Sequence, residues 1–109
     1  MLELSEGDFQ ASTLRIRDKT VVLFHASWCP YCKLLMPTYE KFGGDAKVDV
    51  ARVDISDFES PLWDAFSIEA VPTAIIFEKG EPVARVDSKM GNGVTPAEFL
   101  QFAEQTQSI

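Results

Sequence analysis

The sequence predicts a single-domain α/β fold layered around a central sheet. Three observations lead there. Short runs of β-branched and aromatic residues alternate with stretches of helical periodicity. Ser60-Pro61 and Thr95-Pro96 pair a capping residue with a proline that fits the first turn of a helix. The 109 residues are 46% apolar and include eight Phe and two Trp, enough for one modest core. No repeat, linker or low-complexity tract divides residues 1–109.

Leu2 to Leu4 reads as a short first strand. Ser5 can cap a helix expected from Glu6 to Leu14, although Gly7 weakens its start. The run from Thr20 to Ala26 holds four consecutive β-formers and predicts a central strand covered on both faces. A helix should begin at Cys29, with Pro30 in its first turn, where a missing N–H costs nothing. Leu34, Leu35 and Tyr39 give its packing face. Pro37 should bend it and Gly43-Gly44 end it.

Lys47 to Asp54 alternates as a strand, with Val48, Val50 and Arg52 on one face and Ala51 and Val53 on the other. A short helix after Ser60-Pro61 carries Leu62, Ala65 and Phe66. Val71 to Phe77 is a further strand, and Glu78-Lys79-Gly80-Glu81 turns it into an antiparallel return over residues 83–86. Gly91-Asn92-Gly93 is a loop. Thr95-Pro96-Ala97-Glu98 is a capping box opening the last helix, with Phe99, Leu100, Phe102 and Ala103 as its stripe. The tail from Thr106 to Ile109 should fray. The expected order is β-α-β-α-β-α-β-β-α.

Ten Lys and Arg face 17 Asp and Glu, a formal net charge of −7. That balance disfavours phosphate backbones and anionic bilayers, so neither nucleic acid nor membrane is an expected partner. The first residues form no basic and apolar leader, and no apolar run is long enough to span a bilayer. A cytoplasmic location is the expectation.

The two cysteines, Cys29 and Cys32, stand three positions apart. A bond between them closes too small a loop to brace a fold, so a reversible redox couple makes more sense. They sit where a buried strand meets a helix start. With Cys29 as the cap, its sulfur can accept from the free N–H groups of Tyr31 and Cys32, and the helix dipole favours an anion there. Both effects favour the thiolate, the attacking species in disulfide exchange. Cys29 is therefore the expected nucleophile, and Cys32, one turn inward, the resolving thiol. A CxxC pair can also be half of a zinc site. The chain has no second cysteine pair and a single histidine, His25, so structural zinc is disfavoured and no metal is expected.

Trp28-Cys29-Pro30-Tyr31-Cys32-Lys33, Pro37 and Val71-Pro72-Thr73 together resemble the thioredoxin family. The resemblance covers nearly the whole chain. It implies a thioredoxin-like three-layer fold with a central mixed sheet. It also implies a protein disulfide oxidoreductase that binds no cofactor and takes electrons from a partner thioredoxin reductase or from glutathione. Val71–Pro72 should be cis and leave the Val71 backbone free to pair with an extended substrate. Trp28, Pro30, Tyr31, Val71 and Pro72 would bind the disulfide substrate around Cys29, with His25 and Lys33 modulating it.

The sequence departs from the family in three places. Pro30-Tyr31 is the glutaredoxin dipeptide, which implies a less reducing couple than a standard thioredoxin. Leu23 replaces a buried aspartate that would take the proton of the resolving thiol. Water, Lys19, His25 or a substrate group must then serve, or resolution is slower. The loop over residues 86–93 is longer than usual, which leaves the matching of Gly91 or Gly93 to the family's glycine open. A cationic His25 would favour the Cys29 thiolate. Glutaredoxin-like, glutathione-dependent chemistry, a binding or scaffold role with an incidental dithiol, and a metal-bridged dimer through Cys29 stand as alternatives. A monomer is the default.

Overall fold

A computed structural model describes residues 1–89 and 91–106. The strands are β1 (Leu2–Leu4), β2 (Phe9–Gln10), β3 (Thr13–Leu14), β4 (Thr20–His25), β5 (Asp49–Asp54), β6 (Thr73–Glu78) and β7 (Glu81–Val86). The helices are α1 (Pro30–Asp45), α2 (Leu62–Ala65) and α3 (Pro96–Ala103). The main sheet runs β1-β5-β4-β6-β7. β1, β5 and β4 are parallel, whereas β6 and β7 are antiparallel to their neighbours, so the sheet is mixed.

β4 is central, and its alternation divides the core in two. Val21 and Leu23 pack with Leu35, Tyr39, Phe42, Phe99 and Phe102 beneath α1 and α3. Val22 and Phe24 pack on the other face with Phe9, Leu62, Phe66, Ile75 and Phe77. This second core also contains Cys29, Cys32 and Val71. The buried Tyr39 hydroxyl ties α1 to the sheet, 3.1 Å from the Val21 carbonyl and 2.5 Å from that of Ala51.

Several expected elements change. Residues 6–14 do not form an α-helix. Glu6–Asp8 makes one 3-10 turn, and Phe9–Gln10 then pairs with Thr13–Leu14 as a hairpin. Ala11 takes φ +52° in its turn, and the Thr13 hydroxyl donates to the Gln10 carbonyl at 2.7 Å. The pairing sets Phe9 opposite Leu14 and buries both, which helical spacing five apart would not do.

Pro37 lies inside α1, and the helix continues through Gly43-Gly44 to Asp45. A Cβ on Gly43 would stand 3.2 Å from the Met1 side chain and 3.3 Å from Val50, so this glycine serves close packing rather than a stop. Leu34 and Leu100, expected in packing stripes, are 68% and 47% exposed. Thr106, expected to fray, is buried in a final 3-10 turn. The rest of the expected fray, residues 107–109, lies outside the described residues.

Lys79 and Gly80 both have positive φ, +55° and +85°, as a two-residue hairpin turn demands. A Cβ on Gly80 would meet the Leu14 carbonyl oxygen at 2.6 Å. The Leu14 N–H in turn donates to the Gly80 carbonyl at 2.8 Å, which docks the β2–β3 hairpin on the sheet. Gly80→Ala should therefore destabilise the fold by about 1–3 kcal/mol, read as a lower urea midpoint. An unchanged midpoint would refute the close approach.

Candidate functional site

The site forms where the buried strand β4 hands over to α1. Cys29 is extended (φ −94°, ψ 113°) and caps the helix, with Pro30 in the first turn. The Cys32 N–H donates to Cys29 Sγ at 3.2 Å. Of the two expected backbone donors, Tyr31 and Cys32, this is the one that forms. The Lys33 N–H donates to the Cys29 carbonyl at 3.3 Å, and the Cys29 N–H to that of Ala26 at 3.2 Å. On the opposite side the Cys29 thiol donates to the Val71 carbonyl at 3.3 Å. Val71 precedes β6 through a cis peptide to Pro72. The Thr73 hydroxyl steadies this corner by donating to the Ala70 carbonyl at 2.8 Å.

Both cysteines are free thiols in the reduced state. Their surroundings differ. Cys29 lies in the wall of a 420 Å³ groove formed by Trp28, Pro30, Tyr31, Phe58, Trp63, Glu69, Ala70 and Val71. Cys32, although equally buried in the same core, does not line the groove. Burial first, and then the hydrogen bond with Cys29, push the Cys32 thiol up to about 12. It holds its proton at neutral pH.

The structure thus brings together Trp28, Cys29, Pro30, Tyr31 and Val71. Pro72 is buried and does not line the groove. Lys33 is exposed on α1. His25 ends β4 opposite Asp54 of β5. Burial holds its imidazole below its ordinary 6.5, outweighing the opposite pull of Asp54, and Arg52 adds to the lowering. Burial thus opposes the cationic form of His25 that would favour the Cys29 thiolate. Lys19 stands at the other end of β4, about 20 Å from His25 by strand rise, and is no proton acceptor for Cys32. Leu23 is fully buried among apolar neighbours. Arg52 is held by Glu3 and Glu40.

Sequence reasoning missed Ser56, Phe58 and Trp63. The Ser56 hydroxyl accepts from the Ser27 N–H at 2.7 Å and bonds Asp54, while its carbonyl accepts from the Trp28 indole at 3.0 Å. Ser56 thereby pins the segment before Cys29. The Ser56 bonds also hold the Asp54 carboxyl below its usual range. Trp28 stacks on Phe58 at 5.0 Å and on Trp63 at 6.5 Å between centroids. The signal for this stack was Phe58, an aromatic between Asp57 and Glu59 in a stretch otherwise read as a connection.

On the other flank, the Tyr31 hydroxyl donates to the Gly91 carbonyl at 2.8 Å. A Cβ on Gly93 (φ +62°) would stand 2.6 Å from the Tyr31 side chain. Both glycines of the long loop thus meet Tyr31. Among the described residues, no group of three or more His, Cys, Asp or Glu is arranged to hold a metal ion. No described helix is long and apolar enough to cross a membrane.

Comparison with known proteins agrees with the geometry. A family model described as thioredoxin matches residues 1–104. A thioredoxin of Staphylococcus epidermidis is 38% identical over 92 residues, covering 79% of this chain and 82% of its own. A bifunctional thioredoxin reductase/thioredoxin of Mycobacterium leprae is 29% identical, over 83% of this chain and 20% of its own, so this chain spans a fifth of that relative. The crystal structure of Chlamydomonas reinhardtii thioredoxin f2 superposes with a TM-score of 0.80 over 98% of this chain and 96% of its own. At 23% identity that likeness speaks for the fold.

The neutral His25 has a consequence for stability. Its folded-state value lies below 6.5, so the unfolded chain takes up the proton first as the pH falls. The stabilisation is fully present above about pH 6.5 and is lost as the pH drops through the interval down to the folded value. His25→Gln should flatten that limb of a stability-versus-pH curve, and an identical limb in the variant would contradict the burial argument.

Proposed function

The chain belongs to the thioredoxin family and carries that family's dithiol oxidoreductase centre at Cys29 and Cys32, and from this premise we propose that it reduces disulfide bonds in other proteins. The observation that carries the reading is the asymmetry of the two sulfurs. Both are buried, but one caps a helix and lines a groove, whereas the other is protonated and lies one turn behind.

The Cys29 thiolate attacks one sulfur of the target disulfide, and that bond breaks as a Cys29–target bond forms. The second target sulfur leaves as a thiolate. Cys32 then gives up its proton and attacks Cys29 Sγ. The intramolecular disulfide forms, and the target leaves with two electrons gained. Two electrons from a thioredoxin reductase or from glutathione restore the dithiol.

Resolution requires a proton acceptor for Cys32, which Leu23 is not. The acceptors we assign at this end of the sheet are His25, whose imidazole burial biases toward the neutral form, and Asp54, whose charge reaches Cys32. A substrate segment would run along the groove past Trp28, Pro30, Tyr31 and Val71. Pro72 acts there by shaping the Val71 corner, and Lys33 by its charge alone. The cytoplasm, where donors keep such pairs reduced, suits this role. Pro30-Tyr31 favours glutathione as the donor and a couple less reducing than the family norm. Nothing in the proposed cycle requires more than a monomer.

Cys29→Ser should abolish reduction of a disulfide protein such as insulin. Cys32→Ser should instead accumulate a mixed disulfide, seen as a mass adduct on Cys29. An adduct on Cys32 in the Cys29→Ser variant, with turnover retained, would overturn the assignment. The equilibrium potential should lie above about −270 mV, the value typical of thioredoxin. A value at or below that would contradict the role given to Pro30-Tyr31. Restoration of the oxidised protein by glutathione or by NADPH with a thioredoxin reductase separates the two donors.

A further inference from the structure

The groove beside Cys29 has two walls of different chemistry. Tyr31 and Val71 form one. The other is the stack of Trp28, Phe58 and Trp63, three rings within 6.5 Å of each other by centroid and with interplanar angles of 4° to 23°. Two indole donors fix this wall from behind. Trp28 Nε1 donates to the Ser56 carbonyl at 3.0 Å, and Trp63 Nε1 to those of Ile55 and Asp57 at 3.1 and 3.2 Å. The two indoles are therefore held in place, with Trp28 47% exposed and Phe58, stacked on them, 74% exposed. Exposed, preordered ring faces next to a nucleophile offer a stacking surface at little entropic cost.

The charge around the wall has one sign. Glu69 lines the groove. Asp57 and Glu59 flank Phe58, and all three acids are exposed. From residue 53 to residue 78 the chain holds Asp54, Asp57, Glu59, Asp64, Glu69 and Glu78 and no Lys, Arg or His. An aromatic face with an anionic rim attracts a guanidinium or ammonium by both the ring quadrupole and the carboxylates.

We propose that this wall selects the substrate: the Trp28–Phe58–Trp63 stack and Glu69 receive a basic side chain, arginine above all, adjacent to the cysteine that Cys29 attacks. The inference rests on the oxidoreductase reading above and names its substrate class. It makes Phe58 and Glu69 specificity residues that act on binding, with the sulfur chemistry left to Cys29 and Cys32.

Two synthetic peptides test it. Each holds one intramolecular disulfide, and they differ only in Arg or Glu after one cysteine. Pre-reduced protein is mixed with each in a single turnover, and each rate is divided by the rate at which dithiothreitol reduces the same peptide. The Arg peptide should react about ten-fold faster at low salt, and the ratio should shrink at high salt. Phe58→Ala and Glu69→Gln should each bring the ratio below about three-fold. Equal wild-type rates, or a ratio that neither variant changes, would overturn the selection while leaving the oxidoreductase intact. Failure to reduce either peptide would overturn both readings.

Discussion

A sulfur at the start of a helix is the constraint around which the molecule is arranged. Cys29 Sγ is held between the Cys32 N–H and the Val71 carbonyl, so the helix start and a segment 42 positions away must meet at one atom. β4 delivers the helix start, β6 begins at the Val71 corner, and the strand order places them side by side. An orphan backbone donor at a helix N-terminus prefers an anion, and the dipole of α1 acts in the same sense. The same contacts leave Cys32 one turn deeper, where lost solvation keeps its proton on. The asymmetry of the pair is thus a property of where the helix begins.

The sheet separates two tasks. Its α1–α3 face is sealed by Leu23, Leu35, Tyr39 and Phe99, all fully buried. Its other face carries the thiols and the aromatic core of Phe9, Phe24, Phe66 and Phe77, whose rings meet at 5.3–6.2 Å. Leu23 belongs to the sealed face. A carboxylate there would be costly to bury without partners, and leucine removes that cost together with a proton acceptor. His25, Asp54 and Ser56 cluster instead at the polar end of β4 and β5.

Much of this was legible because local rules and tertiary packing agree. The Thr95–Glu98 capping box, the continuous apolar run of β4 and the Lys79-Gly80 turn each have one cheap conformation, and the fold uses it. Residues 6–14 deceived because a serine cap and two apolar residues fit a helix as well as a hairpin. The docking of Leu14 on Gly80 decides for the hairpin, and no local pattern reports a contact 66 positions away. Cys29 and Cys32 were legible from spacing alone. Ser56, Phe58 and Trp63 were not, since their roles come from a connection folding back against Trp28. The protonation of His25 was not legible for a related reason: burial, which sequence does not show, outweighs Asp54.

Alkylation of the reduced protein by iodoacetamide, with the modified cysteine mapped by mass spectrometry across a pH series, probes the unequal sulfurs most directly. The account requires Cys29 to be labelled first and Cys32 to stay unmodified through neutral pH. Equal labelling of both, or labelling of Cys32 ahead of Cys29, would contradict it.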